Sequence, residues 1–474
     1  LSFRVAFQTF GCKLNQLETE SLADEFKRKG ASLVSLADEA DLYIFNTCTV
    51  TSKAEQKARR LIRSALAAHP GAWALVTGCY AQMEPEALAA LSPEGRLVVV
   101  PGENKADLLG LADSLSEIPG PDGLDACIAA WRDSSENRNR YGKFSFEPES
   151  FSFHSRPSLK IEDGCDNRCA YCRVCLARGK AVSLEAPEVL KRLKALEDAG
   201  AAEAVLTGVN LSQYRSGSLD FAGLLGYLLD NTSHIALRLS SYEPDRFDPR
   251  LMDVFSEQRV RPHMHFAIQS GSDSVLARMG RRYRRDDVLA ACGALRQARR
   301  DPFIACDLIV GFPGETDEEF EDSAALAREV GFAWIHAFQF SPRPGTRAYS
   351  MKPQVPERVA GGRAAVLAEL AAAGREAYIA RWLGSEVSAV LERGSTGSCP
   401  DRAGRVLSRA TSENYLKLLV SLPAGSDTRP GREVSCRLRM PADKNSAVFA
   451  GTASVLPAAP ALPPGVDAFA DSSL

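Results

Sequence analysis

Between residues 158 and 340 the chain repeats one pattern six times: a short apolar run, then a segment with helical periodicity. The runs cover 158–162, 203–207, 236–239, 263–268, 303–310 and 334–340, with helical patterns such as 187–199 and 317–330 between them. Strands that alternate with helices build parallel sheets, because each crossover brings the chain back to pair in the same direction. Six repeats are too few for an eight-fold barrel, so the sequence predicts an open, partial (β/α)6 barrel.

A similar but shorter alternation opens the chain. Runs at 3–9, 41–46, 73–77 and 96–100 are separated by helical patterns at 16–29 and 52–68, which predicts a doubly wound parallel sheet over 1–115. Residues 116–155 are rich in Pro, Gly, Ser and Asn, apart from an apolar patch around Ile128, and read as a connecting segment. The barrel domain spans 156–380 and closes on an Ala-rich helix at 357–382. From 381 to 456, β-like runs at 386–391, 415–420, 433–438 and 446–455 are punctuated by Gly and Pro, the pattern of a small β-barrel. The Pro/Ala-rich tail, 457–474, is expected to be disordered.

With 57 basic and 60 acidic side chains the net charge is −3, so any nucleic-acid contact must come from local patches. No run approaches the roughly 18 apolar residues needed to span a bilayer, and residues 1–10 carry no signal-like core; a cytoplasmic protein without membrane contact is expected. In a reducing compartment twelve cysteines are metal or catalytic candidates rather than a disulfide framework.

The sharpest motif is Asp163-Gly164-Cys165-Asp166-Asn167-Arg168-Cys169-Ala170-Tyr171-Cys172, spaced C-x3-C-x2-C. Three thiolates can hold three irons of a 4Fe-4S cube and leave the fourth iron open for chemistry. The motif follows the first barrel strand, at the edge where barrel active sites are built. Three more cysteines are dispersed: Cys12, Cys48 and Cys79 each lie in a polar turn directly after a strand of the first sheet. The C-terminal ends of parallel strands share one edge, so these cysteines can converge on one metal site; on topology alone, three separate core cysteines remain the alternative.

The C-x3-C-x2-C loop after the first strand of a six-stranded partial barrel resembles the radical-SAM superfamily. Gly11-Cys12, Asn46-Thr47-Cys48 and Gly78-Cys79-Tyr80-Ala81-Gln82 resemble the N-terminal domain of its methylthiotransferases. The resemblance implies two 4Fe-4S clusters, one on Cys165, Cys169 and Cys172 that binds S-adenosylmethionine, the other on Cys12, Cys48 and Cys79 that carries the sulfur to be inserted. Further stretches agree with the family: Thr207-Gly208-Val209-Asn210, Arg238-Leu239-Ser240-Ser241, Gln269-Ser270-Gly271, Val310-Gly311-Phe312-Pro313-Gly314 and Phe340-Ser341-Pro342-Arg343. Several end predicted strands, which makes Thr207, Gly208, Asn210, Ser240, Gln269 and Gly311 candidate cofactor-binding residues.

The segment Phe10-Gly11-Cys12-Lys13-Leu14-Asn15 resembles the branch that acts on threonylcarbamoyladenosine at position 37 of tRNA. Isopentenyladenosine in tRNA and an aspartate of a ribosomal protein are the other family substrates, and a radical-inactive iron–sulfur protein that binds RNA is the reading of another class. The resemblance implies the tRNA anticodon region, an electron-donor protein and a sulfur donor as partners. The last domain resembles the RNA-binding TRAM barrel, and residues 381–444 hold eleven Lys/Arg against seven Asp/Glu, a net of +4. The basic run Arg278–Arg285 is either an RNA contact or an ordinary helix start. Cys175 stands where the family has proline and reads as a bystander thiol. Cys292 and Cys306 read as core residues, and the histidines form no paired metal motif.

Overall fold

The computed structural model describes residues 3–92, 95–118, 120, 123–134, 140–246, 248–393, 405–423, 425–439 and 452–455. Strands β1 (Arg4–Thr9), β2 (Ser32–Val34), β3 (Leu42–Thr47), β4 (Trp73–Gly78) and β5 (Leu97–Val99) pair in parallel in the order β2-β1-β3-β4-β5. Every residue of β3 and β4 is buried, as central strands covered on both faces require. The winding reverses between β1 and β3, the place where open parallel sheets bind ligands. β2 is too short to show a period and is missing from the sequence reading. Helices α1 (Lys13–Arg28) and α2 (Ser52–Ala68) connect the strands, and Thr51 caps α2 by accepting the Ala54 amide at 3.1 Å.

The segment 116–155 is not a bare connection. It contains a helix, Leu124–Asp133, whose Leu124, Ile128 and Trp131 recur at helical spacing and pack with Phe146 into the N-terminal core. The apolar patch around Ile128 is the trace this helix leaves in the sequence.

The central domain follows with β6 (Ser158–Lys160), the short pair β7 (Glu162–Asp163) and β8 (Val182–Ser183), β9 (Glu203–Thr207), and the ribbon β10 (Arg215–Ser216) and β11 (Leu219–Asp220). Then come β12 (Ala236–Leu239), β13 (Ser241–Tyr242), β14 (His263–Gln269), β15 (Phe303–Val310) and β16 (Trp334–Gln339). β6, β9 and β12 pair in parallel, as do β13 to β16, and only Ser240 separates β12 from β13. Six parallel strands therefore run in chain order, and among the described strands β6 and β16 do not pair. Local signals end the helices between them: Thr316 and Glu319 form a reciprocal capping box, and Gly331 closes the same helix in the left-handed conformation.

The two faces of this sheet differ. Ile304, Cys306, Leu308 and Val310 of β15 join the main apolar core under the helices. Alternation turns Phe303, Ala305 and Asp307 to the inner face. Strand register adds Lys160, Glu203, Arg238, His265 and His336 to that face. A surface so rich in charge is not a dry core; it is a lining.

Strands β17 (Glu386–Leu391), β18 (Arg405–Ser412), β19 (Lys417–Pro423), β20 (Glu433–Arg439) and β21 (Thr452–Val455) pair in the closed order β17-β18-β19-β21-β20. β18 escapes the sequence reading because Val406 and Leu407 break its alternation. The expected strand at 446–455 begins outside the described residues, and the tail 457–474 lies wholly outside them.

A buried ion network fastens this barrel to the central sheet. Glu203 accepts two hydrogen bonds from Arg238, at 2.7 and 3.0 Å, and one from Arg261 at 2.9 Å. Arg238 also donates to the Ser412 and Glu413 carbonyls of the barrel, and Arg261 reaches Glu433 at 2.6 Å. Burial raises the Glu203 carboxyl, but Arg238, Arg156 and Arg261 overcome it and hold it well below the usual carboxylate range. Replacing Glu203 with Gln strands buried guanidinium groups and should lower stability by about 3–5 kcal/mol in urea unfolding. A depressed carboxyl stabilises the fold above its unfolded pKa, so the gap between wild type and variant should shrink as pH falls below about 4.

Candidate active site

The C-x3-C-x2-C loop leaves β7 through Gly164, whose φ is +88° and whose Cβ would stand 2.1 Å from the Lys180 carbonyl, so only glycine fits. The Cys165 amide donates to the Gly179 carbonyl at 3.1 Å and closes the loop on itself. Inside it, the Val174 amide donates to Cys172 Sγ at 3.4 Å, and Arg281 Nη1 donates to Cys169 Sγ at 3.2 Å. Burial pushes the thiols of Cys165 and Cys172 up to about 12. Without a metal they are inert; with one they become thiolates already supplied with hydrogen-bond donors, so the donor set suits an iron–sulfur cluster.

The predicted cofactor residues gather at the same edge. Thr207 ends β9, and Gly208 lies against Glu162, whose carboxylate would stand 2.6 Å from an added Cβ. The Asn210 amide donates to Glu162 Oε2 at 2.8 Å. Ser240 Oγ and Glu162 Oε1 are buried with no hydrogen-bond partner among the described residues, and burial pushes the Glu162 carboxyl up to about 8. Unsatisfied polar atoms at a strand edge suit a polar ligand such as S-adenosylmethionine. Gln269 holds φ +73°, a strained backbone of the kind concentrated at functional sites. Gly311 has two reasons to be glycine: its φ is +75°, and a Cβ there would stand 2.6 Å from Ala360 Cβ, so its small size also serves helix packing.

Cys12, Cys48 and Cys79 follow β1, β3 and β4 at the shared edge of the N-terminal sheet. The turns are pressed together: a Cβ on Gly11 would stand 2.7 Å from Cys48 Sγ, and one on Gly78 2.2 Å from the Thr47 carbonyl. Asn15 Nδ2 ties two of them by donating to the Phe10 carbonyl at 2.8 Å and the Thr47 carbonyl at 3.1 Å. Cys48 and Cys79 are buried while Cys12 is exposed, so the group opens to one side. Burial raises the Cys48 and Cys79 thiols, and each is pushed further by the neighbouring Cys12.

Charged and polar residues near these cysteines join the two cysteine sets. Arg178, in the short helix Val174–Arg178 behind Cys172, donates to Glu18 at 3.0 Å, to Asp163 at 3.0 Å and to Asn15 Oδ1 at 2.7 Å. Glu18 also takes Lys105 at 2.5 Å and Lys160 at 2.9 Å. Nearby, Arg173 donates to Glu84 at 2.7 Å, and Arg173 and Arg343 share Thr49 and Glu55 of the N-terminal domain. Arg343 belongs to a quoted family stretch, but its partners lie almost 300 positions away, and no local signal names them.

The structure narrows one of the remaining sequence readings, changes a second and bears out a third. In the basic run Arg278–Arg285, Arg278 pairs with Glu319 at 2.6 Å, Arg281 with Glu243 at 2.9 Å and Arg285 with Glu329 at 2.6 Å, so these three serve the fold. The histidines do meet: His265, Asp307 and His336 bring their ligand atoms within 4.8 Å of one another, because adjacent strands hold them at matching heights. Each has a protein partner: His265 Nε2 lies 2.9 Å from Asp307, and Trp334 Nε1 donates to His336 Nδ1 at 3.2 Å. Cys292, Cys306 and Cys436 are buried in the cores, and Cys399 lies outside the described residues.

Two family models match the chain: Uncharacterized protein family UPF0004 over residues 4–100 and the Radical SAM superfamily over residues 159–327. A radical S-adenosylmethionine methyltransferase from Kitasatospora setae shares the fold at a TM-score of 0.51 and 15% identity, over 77% of this chain and 82% of that one. Fold and cysteine loop thus define a radical SAM protein. A threonylcarbamoyladenosine tRNA methylthiotransferase of Treponema pallidum is 40% identical over 92% of this chain and 98% of its own length. A tRNA-2-methylthio-N(6)-dimethylallyladenosine synthase of Anaeromyxobacter is 35% identical over 92% and 91%. The chain belongs to the radical SAM tRNA methylthiotransferase family.

Cys175 Sγ donates to the Cys172 carbonyl at 3.8 Å, which turns the thiol toward its own loop. Cys175→Ala should leave the iron content and the rate of S-adenosylmethionine cleavage within about twofold, since it removes a weak sulfur contact. A marked gain in cleavage, with a changed cluster spectrum on adding S-adenosylmethionine, would show instead that Cys175 caps the open iron.

Proposed function

We propose that this protein adds a methylthio group to C2 of the threonylcarbamoyladenosine at position 37 of tRNA. The observation that carries the reading is the pair of cysteine triads, one at the ligand-binding edge of each parallel sheet, joined by Arg178 and Glu18. Cys165, Cys169 and Cys172 would hold the cluster that binds S-adenosylmethionine, and Cys12, Cys48 and Cys79 a second 4Fe-4S cluster. When bound, these groups supply a radical strong enough to replace an unactivated aromatic C–H and the sulfur that replaces it.

The side chains position and enclose. Thr207, Gly208, Asn210, Ser240 and Gln269 lie where the cofactor would meet the strand ends, and Gly311 sets the helix behind them. Arg281 holds Cys169, and Arg173 and Arg343 close the seam between the domains. The central strands suit a partial (β/α)6 barrel, since parallel strands in chain order with helices on one face curl around the other. The C-terminal ring, with exposed Arg409, Arg437 and Arg439, suits a TRAM-like RNA-binding role. No helix among the described residues is long and apolar enough to cross a membrane. An electron-donor protein and a sulfur donor would complete the cycle, in the cytoplasm where tRNA is modified.

The test is division of labour in the reconstituted holoenzyme. Cys169→Ala should abolish 5′-deoxyadenosine formation. Cys48→Ala should spare much of that cleavage and stop methylthiolation, read by mass spectrometry of nucleosides from tRNA carrying threonylcarbamoyladenosine. Equal loss of cleavage in both variants would sink the two-cluster scheme, and faster turnover of dimethylallyladenosine tRNA or of a ribosomal protein would move the substrate.

A further inference from the structure

Tyr415 lies at the tip of the β18–β19 hairpin with φ +65°, a left-handed backbone that a bulky residue adopts only under constraint. The turn carries its ring, 6% exposed, between the C-terminal barrel and the inner face of the central sheet. Four cations surround the ring centroid: Arg238 at 5.1 Å, Lys417 at 5.6 Å, Arg156 at 5.7 Å and Lys13 at 5.9 Å. Three of them have carboxylates. Arg238 is held by Glu203, Lys417 by Glu392 at 3.1 Å, and Arg156 by Glu392 at 3.4 Å.

Lys13 has none. Among the described residues its ammonium makes no hydrogen bond and no ion pair within contact distance; it stands over the Tyr415 ring, with Glu203 attracting it from further off. It lines a cavity with Gln16, Arg156, Ser158, Glu392, Arg409 and Tyr415, where α1 meets β6 and the barrel, and Glu392, the one carboxylate of that lining, is already engaged by Lys417 and Arg156. A cation drawn away from bulk water without a direct ion pair is costly, and the lining sets Lys13, Arg156, Arg393 and Arg409 against the single carboxylate of Glu392, so the cavity favours a further anion. The cations leave a mark on Tyr415 itself: burial raises its hydroxyl, and Lys13, Lys417, Arg156 and Arg238 bring it down to about 7.

The substrate assigned above carries such an anion, because its N6 substituent ends in the carboxylate of threonine. Lys13 directly follows Cys12, so the cation stands beside the turn where the sulfur-carrying cluster would be held. We propose that Lys13, supported by Arg156, receives the threonyl carboxylate and makes this cavity the specificity pocket for the modified nucleoside. An apolar substituent such as dimethylallyl would leave the Lys13 ammonium facing it unpaired, so the same residue that favours one substrate selects against the other. The inference rests on the substrate reading, and a backbone phosphate of the tRNA is the other anion that could meet Lys13.

The experiment uses holoenzyme and two anticodon stem-loop RNAs, one bearing threonylcarbamoyladenosine and one bearing its methyl ester. Methylthiolation is followed by nucleoside mass spectrometry. Wild type should prefer the acid to the ester by about tenfold or more in kcat/KM, the scale of a site left with an unpaired polar group. Lys13→Gln should bring that ratio to within about twofold of one, and Lys13→Arg should restore most of it. A ratio retained in Lys13→Gln overturns the proposal. So does an equal loss on both RNAs, which assigns Lys13 to a phosphate. A wild type inactive on both RNAs overturns the substrate reading, and the pocket with it.

Discussion

One buried carboxylate keeps the two halves of the site in register. Glu18, 2% exposed, takes Lys105 from its own domain and Lys160 and Arg178 from the central domain. Arg178 in turn holds Asn15 and Asp163, so the helix behind Cys12 and the helix behind Cys172 cannot shift independently. Such a network adds little net stability, because desolvation offsets much of its attraction, but it tolerates few geometries. That is what two cysteine sets on separate sheets require. Three cations against two carboxylates also leave one positive charge over, and Arg178 feels both Cys79 and Cys12. Clusters held by thiolates are electron-rich, so a surplus cation beside them favours their formation.

How far the sequence reaches depends on how local each feature is. Cys165, Cys169 and Cys172 share one loop, and their spacing alone states a chemistry. Cys12, Cys48 and Cys79 are legible one step removed, because each follows a buried strand and parallel strands end on a common edge. Strands such as 203–207, 236–239 and 303–310 are legible because their apolar runs are bounded by turns. β2 is too short for a period, β18 breaks its alternation, and the helix over Leu124–Asp133 is masked by polar neighbours.

What stays hidden is set by register. His265, Asp307 and His336 belong to three strands, and only the pairing of His265 with Ala305 and of Asp307 with His336 brings them level. Glu203 and Arg238 read as unremarkable charges in apolar runs, yet both are fully buried and fasten a barrel some 170 residues downstream. Arg173 and Arg343 meet over Glu55 by the same logic. In each case the sequence gives the charge and withholds the partner, since ion pairs leave no period.

The inner face of the central sheet joins these observations. It carries Lys160, Glu203, Arg238, His265, Asp307 and His336, so it cannot be closed by an apolar plug without stranding charge. Instead, elements of two other regions meet it with polar groups of their own: Lys13 and Glu18 of α1 and Tyr415 of the hairpin tip. Each supplied group settles a charge on the sheet or a neighbour, except Lys13. A lining built this way is polar throughout and still presents one cation without a direct ion pair. The substrate would then be the piece that completes the electrostatics, which couples its recognition to the closure of the site.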